Sequence, residues 1–350
     1  MKNIFAIIDS RCGDISAIAA RWGKSGDHIL EGFAIGRSAG IHKGTITDMN
    51  SAADSISDVL SKLRKATKEK FRDVYMSLSS PSVEVRPSTG TVLLSKYGKE
   101  ITYYDVEKCV RVGSVVKMPQ GKEPLQRIVR SFSVDGEKEI KNPMGLEGVK
   151  LSVELNVVGI DSSAVNNLNK CVALAGYFPS GIVLSALAYS LRTLYDEEKE
   201  KGAILVNLCK DMTETVIFHK NVPQDFKVIM AGTNDLTRPD GTASQVELER
   251  FVLMLKSLPF WSKVKHVVII GNPSAVEGLM DRVENMTGCP TRFGSCVTKP
   301  FEDLPSERIV YTGALGVLDY LAAERKKKGD GGSFMKRFIN KAVAFADEYF

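Results

Sequence analysis

No apolar stretch in this chain approaches the ~18–20 residues that a helix needs to span a bilayer. The one at the N-terminus, Ile4 to Ile8, stops at Asp9, and the expectation is a protein neither secreted nor membrane-spanning. The six cysteines (Cys12, Cys109, Cys171, Cys209, Cys289 and Cys296) contain no CxxC, and the four histidines lie apart from them in sequence. That scatter argues against structural zinc and against a disulfide framework, and it predicts reduced thiols. Four histidines leave little for acid–base chemistry, and neither GxSxG nor HExxH occurs. Gly23-Lys24-Ser25 resembles the end of a P-loop, but Ile18 stands where the first glycine belongs. The net charge is only +5 over 350 residues and no base-stacking motif accompanies it, so no nucleic acid partner is expected.

What is present is ordinary globular material, 43% hydrophobic and 25% charged, in a chain long enough for two domains. The N-terminus reads as a strand, a tight turn and a strand (IFAIID, SRCGD, ISAIAA), and the plan recurs two hundred residues later as AILVN, LCKDM, TETVIF. Two such hairpins predict two α/β domains related by duplication. Between them, residues 48–70 carry Ile56, Val59, Leu60 and Leu63 at helical spacing, and DVYMSLS reads as a buried strand. Residues 81–160 change character, to short strands, a helix near 104–117 and the alternating run VKLSVELNVV, with Val149, Leu151, Val153, Leu155 and Val157 on one face. Helices are predicted over 163–175, 182–194, 274–286 and 309–325, a strand at HVVIIG, and a boundary at DEEKEKG.

The C-terminus is unusually aromatic. Placed on a helical wheel, SFMKRFINKAVAFADEYF puts Phe334, Met335, Phe338, Ile339 and Phe345 on one broad apolar arc and Lys336, Arg337 and Lys341 on the other. It could cover a core, join two copies or lie in a membrane surface. The basic, glycine-containing run RKKKGDGG before it favours the membrane surface, since cations near an anionic leaflet add to the burial of aromatic side chains.

Paired hairpins facing one another across two α/β domains are how the actin-like ATPase superfamily grips phosphates. In this chain the run EIKNPMGLEGVKLSVELNVVGIDSSAVNNLNKCVALAGY resembles the middle of the bacterial cell-division protein family FtsA. DEEKEKGAILVNL resembles that family's entry into its second half, HVVIIGNPSAVEGLMDRVENMTGCPTRFG its adenosine-side strand, turn and helix, YTGALGVLDY its late helix, and the tail its membrane-targeting helix. The resemblance implies an α/β, actin-like two-domain fold with a small α+β insert. The first domain would comprise 1–80 and 161–201, the insert 81–160, and a shortened second domain 202–325. A basic linker at 326–332 and the amphipathic helix at 333–350 would follow. It further implies a scaffold at the cytoplasmic face of the cell membrane, at the division site, that tethers the tubulin-like FtsZ or other division proteins and self-associates in filaments. Only forty-one positions run from Lys227 to Val267, too few for the lobe on which the FtsZ tail docks in that family.

The resemblance assigns the nucleotide turns to Asp9, Arg11 and Gly13, to Asn207 and Lys210, and to Gly271. Each departs from the family pattern. Arg11 replaces a glycine, Asn207 an aspartate, Cys209, Lys210 and Asp211 a run of three glycines, and of the adenosine-side glycines only Gly271 survives. Glycines are needed there because backbone N–H groups must approach phosphate oxygens closely. The expectation is therefore a degenerate cleft in which Lys210 or Arg11 pairs with Asp211 or Asp14, with no cofactor and no ATP hydrolysis. ATP with magnesium at unusual phosphate loops is the alternative, as is an actin-like scaffold of a pilus-type assembly.

Overall fold

Alternating and continuous apolar runs separated by tight turns build strands first, and in this chain they build the same sheet twice. The computed structural model describes residues 4–11, 13–23, 28–295 and 308–329. In the first domain β1 (Ile4–Arg11), β2 (Asp14–Trp22) and β3 (His28–Arg37) form an antiparallel meander. A short hairpin, β4 (Ile41–His42) and β5 (Thr45–Ile46), leads into α1 (Met49–Thr67). Asp48 caps that helix by accepting the Ser51 N–H at 3.0 Å, and this bond holds its carboxyl below the usual aspartate range. The predicted stripe of Ile56, Val59, Leu60 and Leu63 is buried. Next, β6 (Asp73–Leu78) lies parallel to β1.

The insert begins with β7 (Glu84–Leu93), followed by β8 (Lys99–Glu100), α2 (Tyr103–Gly113), β9 (Lys122–Val134), β10 (Glu137–Ile140), β11 (Glu147–Gly148) and β12 (Lys150–Asp161). Its main sheet has the order β10-β9-β12-β7. Leu151, Val153, Leu155 and Val157 are buried as the alternation requires, whereas Val149 precedes the strand and is 38% exposed.

After α3 (Ser162–Leu174) the expected helix over 182–194 is shorter. Phe178–Leu184 forms β13, paired parallel with β6, and only Ser185–Thr193 is helical, as α4. Pro179-Ser180-Gly181 reads locally as a helix start, but the strand absorbs it through an irregularity in register between Pro179 and Gly181. The stretch DEEKEK, at the expected boundary between the halves, forms a short helix, α5 (Asp196–Lys201).

The second domain repeats the plan with β14 (Ala203–Leu208), β15 (Thr213–His219), β16 (Val222–Ile229), α6 (Thr233–Leu236), α7 (Gln245–Lys256), β17 (His266–Gly271), α8 (Leu279–Thr287) and β18 (Thr291–Phe293). The sheet orders, β13-β6-β1-β2-β3 and β16-β15-β14-β17-β18, superimpose strand for strand once one is reversed. The expected helix start near Ser274 moves to Leu279, because Pro273–Ala275 forms a separate 3-10 turn and Gly278 follows at φ 72°. The chain then returns to the first domain as α9 (Thr312–Gly329), which lies on β1, β2 and β6 and crosses α4. Arg325 to Gly329 are therefore part of this helix, not of a free linker. The amphipathic segment at 333–350, with Phe334, Phe338 and Phe345, lies outside the described residues. Among the described residues no helix is long and apolar enough to cross a membrane. Cys109, Cys171 and Cys289 are free thiols, but Cys209 is disulfide-bonded, which corrects the expectation of reduced thiols at that position.

Candidate functional site: the floor of the interdomain cleft

The two hairpin turns bring their residues to the same place, between the domains. Asp9, near the end of β1, is fully buried. Its Oδ1 accepts the Ser77 hydroxyl from β6, and its Oδ2 accepts the Tyr189 hydroxyl from α4 at 2.5 Å. The first turn of α9 closes over the carboxyl, and a Cβ on Gly313 would run into it. Asn207, near the end of β14, is equally buried and stands opposite Glu214 of β15 in the hairpin register. Asn207 Nδ2 donates to Glu214 Oε2 at 2.7 Å, and Ser185 at the start of α4 donates to the other oxygen. Burial pushes the Glu214 carboxyl well above the usual glutamate range, the nearby Asp9 carboxylate pushes the same way, and these hydrogen bonds offset only part of it. The cleft floor is thus a buried polar network joining both sheets through α4.

The remaining predicted residues separate from this network. Gly13, at φ 99°, and Lys210 are exposed at their turns. Arg11 is the last residue of β1, paired with Asp14 in the hairpin. The expected ion pair at the second turn is not made: Asp211 Oδ1 accepts Asn234 Nδ2 at 2.9 Å. Gly271 serves the sheet, since a Cβ there would overlap the carbonyl of Leu208 on β14. Close backbone approach explains that glycine without a nucleoside. A cavity of about 580 Å³ adjoins the turns, lined by Ser10, Gly13, Lys43, Ser79, Ser82, Asp161 and Lys210. It lies between the β4–β5 hairpin and the root of the insert, and Gly271 takes no part in it.

Sequence reasoning missed Glu214, Tyr189, Ser77 and Ser185. One signal existed for Glu214, a charged residue inside the otherwise uncharged strand TETVIF and in hairpin register with Asn207. Tyr189 had none, being 180 positions from Asp9.

Residues 81–159 match the model of the SHS2 domain inserted in FtsA. The chain is 29% identical over 236 residues to the cell division protein FtsA of Borreliella burgdorferi, an alignment covering 67% of this chain and 57% of that protein. It is 27% identical over 201 residues to FtsA of Bacillus subtilis, covering 57% of this chain and 46% of the relative. The chain thus spans about half the length of the curated relatives it matches. Among solved structures, a PilM-PilN type IV pilus biogenesis complex matches 90% of this chain and 97% of its own at TM-score 0.61 and 15% identity. MreB 5 of Spiroplasma citri bound to AMPPNP matches 95% of this chain and 100% of its own at TM-score 0.52 and 8% identity. These likenesses establish the actin-like fold, and the sequence resemblance to FtsA and its inserted domain is borne out.

Proposed function

We propose that this chain is an FtsA-like, actin-homologous scaffold of bacterial cell division. It meets the inner face of the cytoplasmic membrane through residues 333–350 and tethers FtsZ or other division proteins there without hydrolysing ATP. Sequence identity to the FtsA relatives and the inserted domain support the division role. The observation that carries the absence of turnover is the state of Asp9. A carboxylate that positions a metal or an attacking water must reach the ligand. Asp9 instead lies sealed beneath α9, bonded to Ser77 and Tyr189. Asn207 removes the second carboxylate, and Glu214, opposite it in that hairpin, is fully buried and held toward its neutral form.

Thermal melting tests this. Saturating ligand at 100 times its Kd stabilises by about 2.7 kcal/mol, and millimolar ATP with magnesium is expected to leave the melting midpoint unmoved. A saturable, magnesium-dependent rise would establish the alternative, an ATPase with unusual phosphate loops. For the tail, the full chain is expected to co-sediment with vesicles containing anionic lipid, and deletion of 333–350 to abolish this while leaving the melt intact. A deletion that still sediments, or that no longer folds, returns the segment to the protein core. The pilus-type reading draws on the fold coverage of the PilM-PilN complex, but identity of 15% against 29% favours division. Affinity purification from cells, with FtsZ against pilus components as the two outcomes, separates them.

A further inference from the structure

β13 is one edge strand of the first domain sheet, and β16 is one edge strand of the second. An edge strand carries backbone groups that the sheet itself cannot satisfy, and buried ones must find partners elsewhere. Both edges are met by one surface, the inner face of the insert sheet. Gln126 on β9 and Asn156 on β12 are buried, and the pairings Val158↔Gln126 and Asn156↔Ile128 put all four side chains on that face. Gln126 Nε2 donates to the carbonyl of Ile182 on β13 at 3.1 Å, and its Oε1 accepts the Leu184 N–H at 3.3 Å. Asn156 Nδ2 donates to the carbonyl of Pro223 on β16 at 3.0 Å. Around these amides Val158 joins Phe226 and α4 in one shared core.

We propose that the insert is a strut that holds the interdomain cleft closed, whatever the cleft contains. Hinge opening of two domains requires an interface that can part. Here the first domain, the insert and the second domain share a continuous seam, so opening would expose two edge strands and a buried core together. The outer ion pair between Glu139 and Lys220, 2.8 Å long with both side chains mostly exposed, adds little to it. The inference concerns this chain's conformation alone and holds for either assembly discussed above.

Hydrogen exchange on the full chain tests the proposal. In the wild type, amides of α4 and of the β14–β15 hairpin are expected to exchange slowly. The double variant Gln126→Met, Asn156→Leu keeps the side-chain volumes and removes the three bonds to the edges. It should accelerate exchange at those floor amides at least tenfold while the β7–β12 ladder stays protected. A second variant, Cys109→Ala, weakens the insert's own core, away from the seam. It should leave the floor protected. Unchanged floor exchange in the double variant, or an equal acceleration in Cys109→Ala, overturns the proposal.

Discussion

Replacing Gly316 by valine is expected to cost at least about 3 kcal/mol of stability, within the range of severe overpacking. Gly316 lies where α9 crosses α4, and a Cβ there would overlap the carbonyl of Ala188. Valine adds two further carbons with a restricted rotamer, so the helices must move apart. The crossing also holds Arg192, only 5% exposed, whose Nη2 donates to Asp319 Oδ1 at 2.6 Å. Separation would also part this pair and leave the buried Arg192 guanidinium without its carboxylate, which adds to the loss. Urea unfolding with an unchanged slope and a lowered midpoint is the expected record. A loss below about 1 kcal/mol would show that α9 is held elsewhere.

The second large effect is on pH dependence. Because Glu214 is held above the usual glutamate range when folded, the folded state keeps a proton that the unfolded chain releases. Its contribution is fully present below that range and is lost as pH rises through it toward the raised value, at about 1.4 kcal/mol per pH unit while the two differ. Asp319, pushed up to about 6 mainly by burial, acts in the same direction up to that pH. Glu214→Gln should melt like the wild type at pH 4 and increasingly above it as pH rises beyond the usual glutamate range, losing the part of the pH slope that Glu214 contributes. The substitution fits the site. Asn207 Oδ1 has no hydrogen-bond partner among the described residues. Turning over the Asn207 amide lets a glutamine at 214 donate to it while still accepting from Ser185. Parallel pH profiles for the two proteins would mean that Glu214 titrates normally.

Much of the architecture was legible because it is local. The repeated hairpins, the helix carrying Ile56 to Leu63 and the insert strand rising through Leu151 to Val157 each announce themselves by period and turn. The errors fell where tertiary pairing overrode a local signal. Phe178–Leu184 carries a proline and a glycine that suggest a helix start, yet β6 captures it as a strand. The floor of the cleft was legible by half. Asp9 and Asn207 could be placed from the hairpins. The groups that enclose Asp9 arrive from Ser77, Tyr189 and Gly313, 68, 180 and about three hundred positions away, and no window of sequence contains such a meeting.

The path of α9 has a mechanical consequence. At about 1.5 Å per residue, Thr312–Gly329 is a rod roughly 27 Å long. One end presses on the Asp9 carboxyl, and near the other Arg325 stacks 4.6 Å over Trp22 at the close of β2. Both ends are clamped to the same sheet, so the rod has no freedom to swivel. The helix axis at Gly329 is therefore held at one fixed inclination to the first-domain sheet, set at one end by Asp9 and near the other by Trp22.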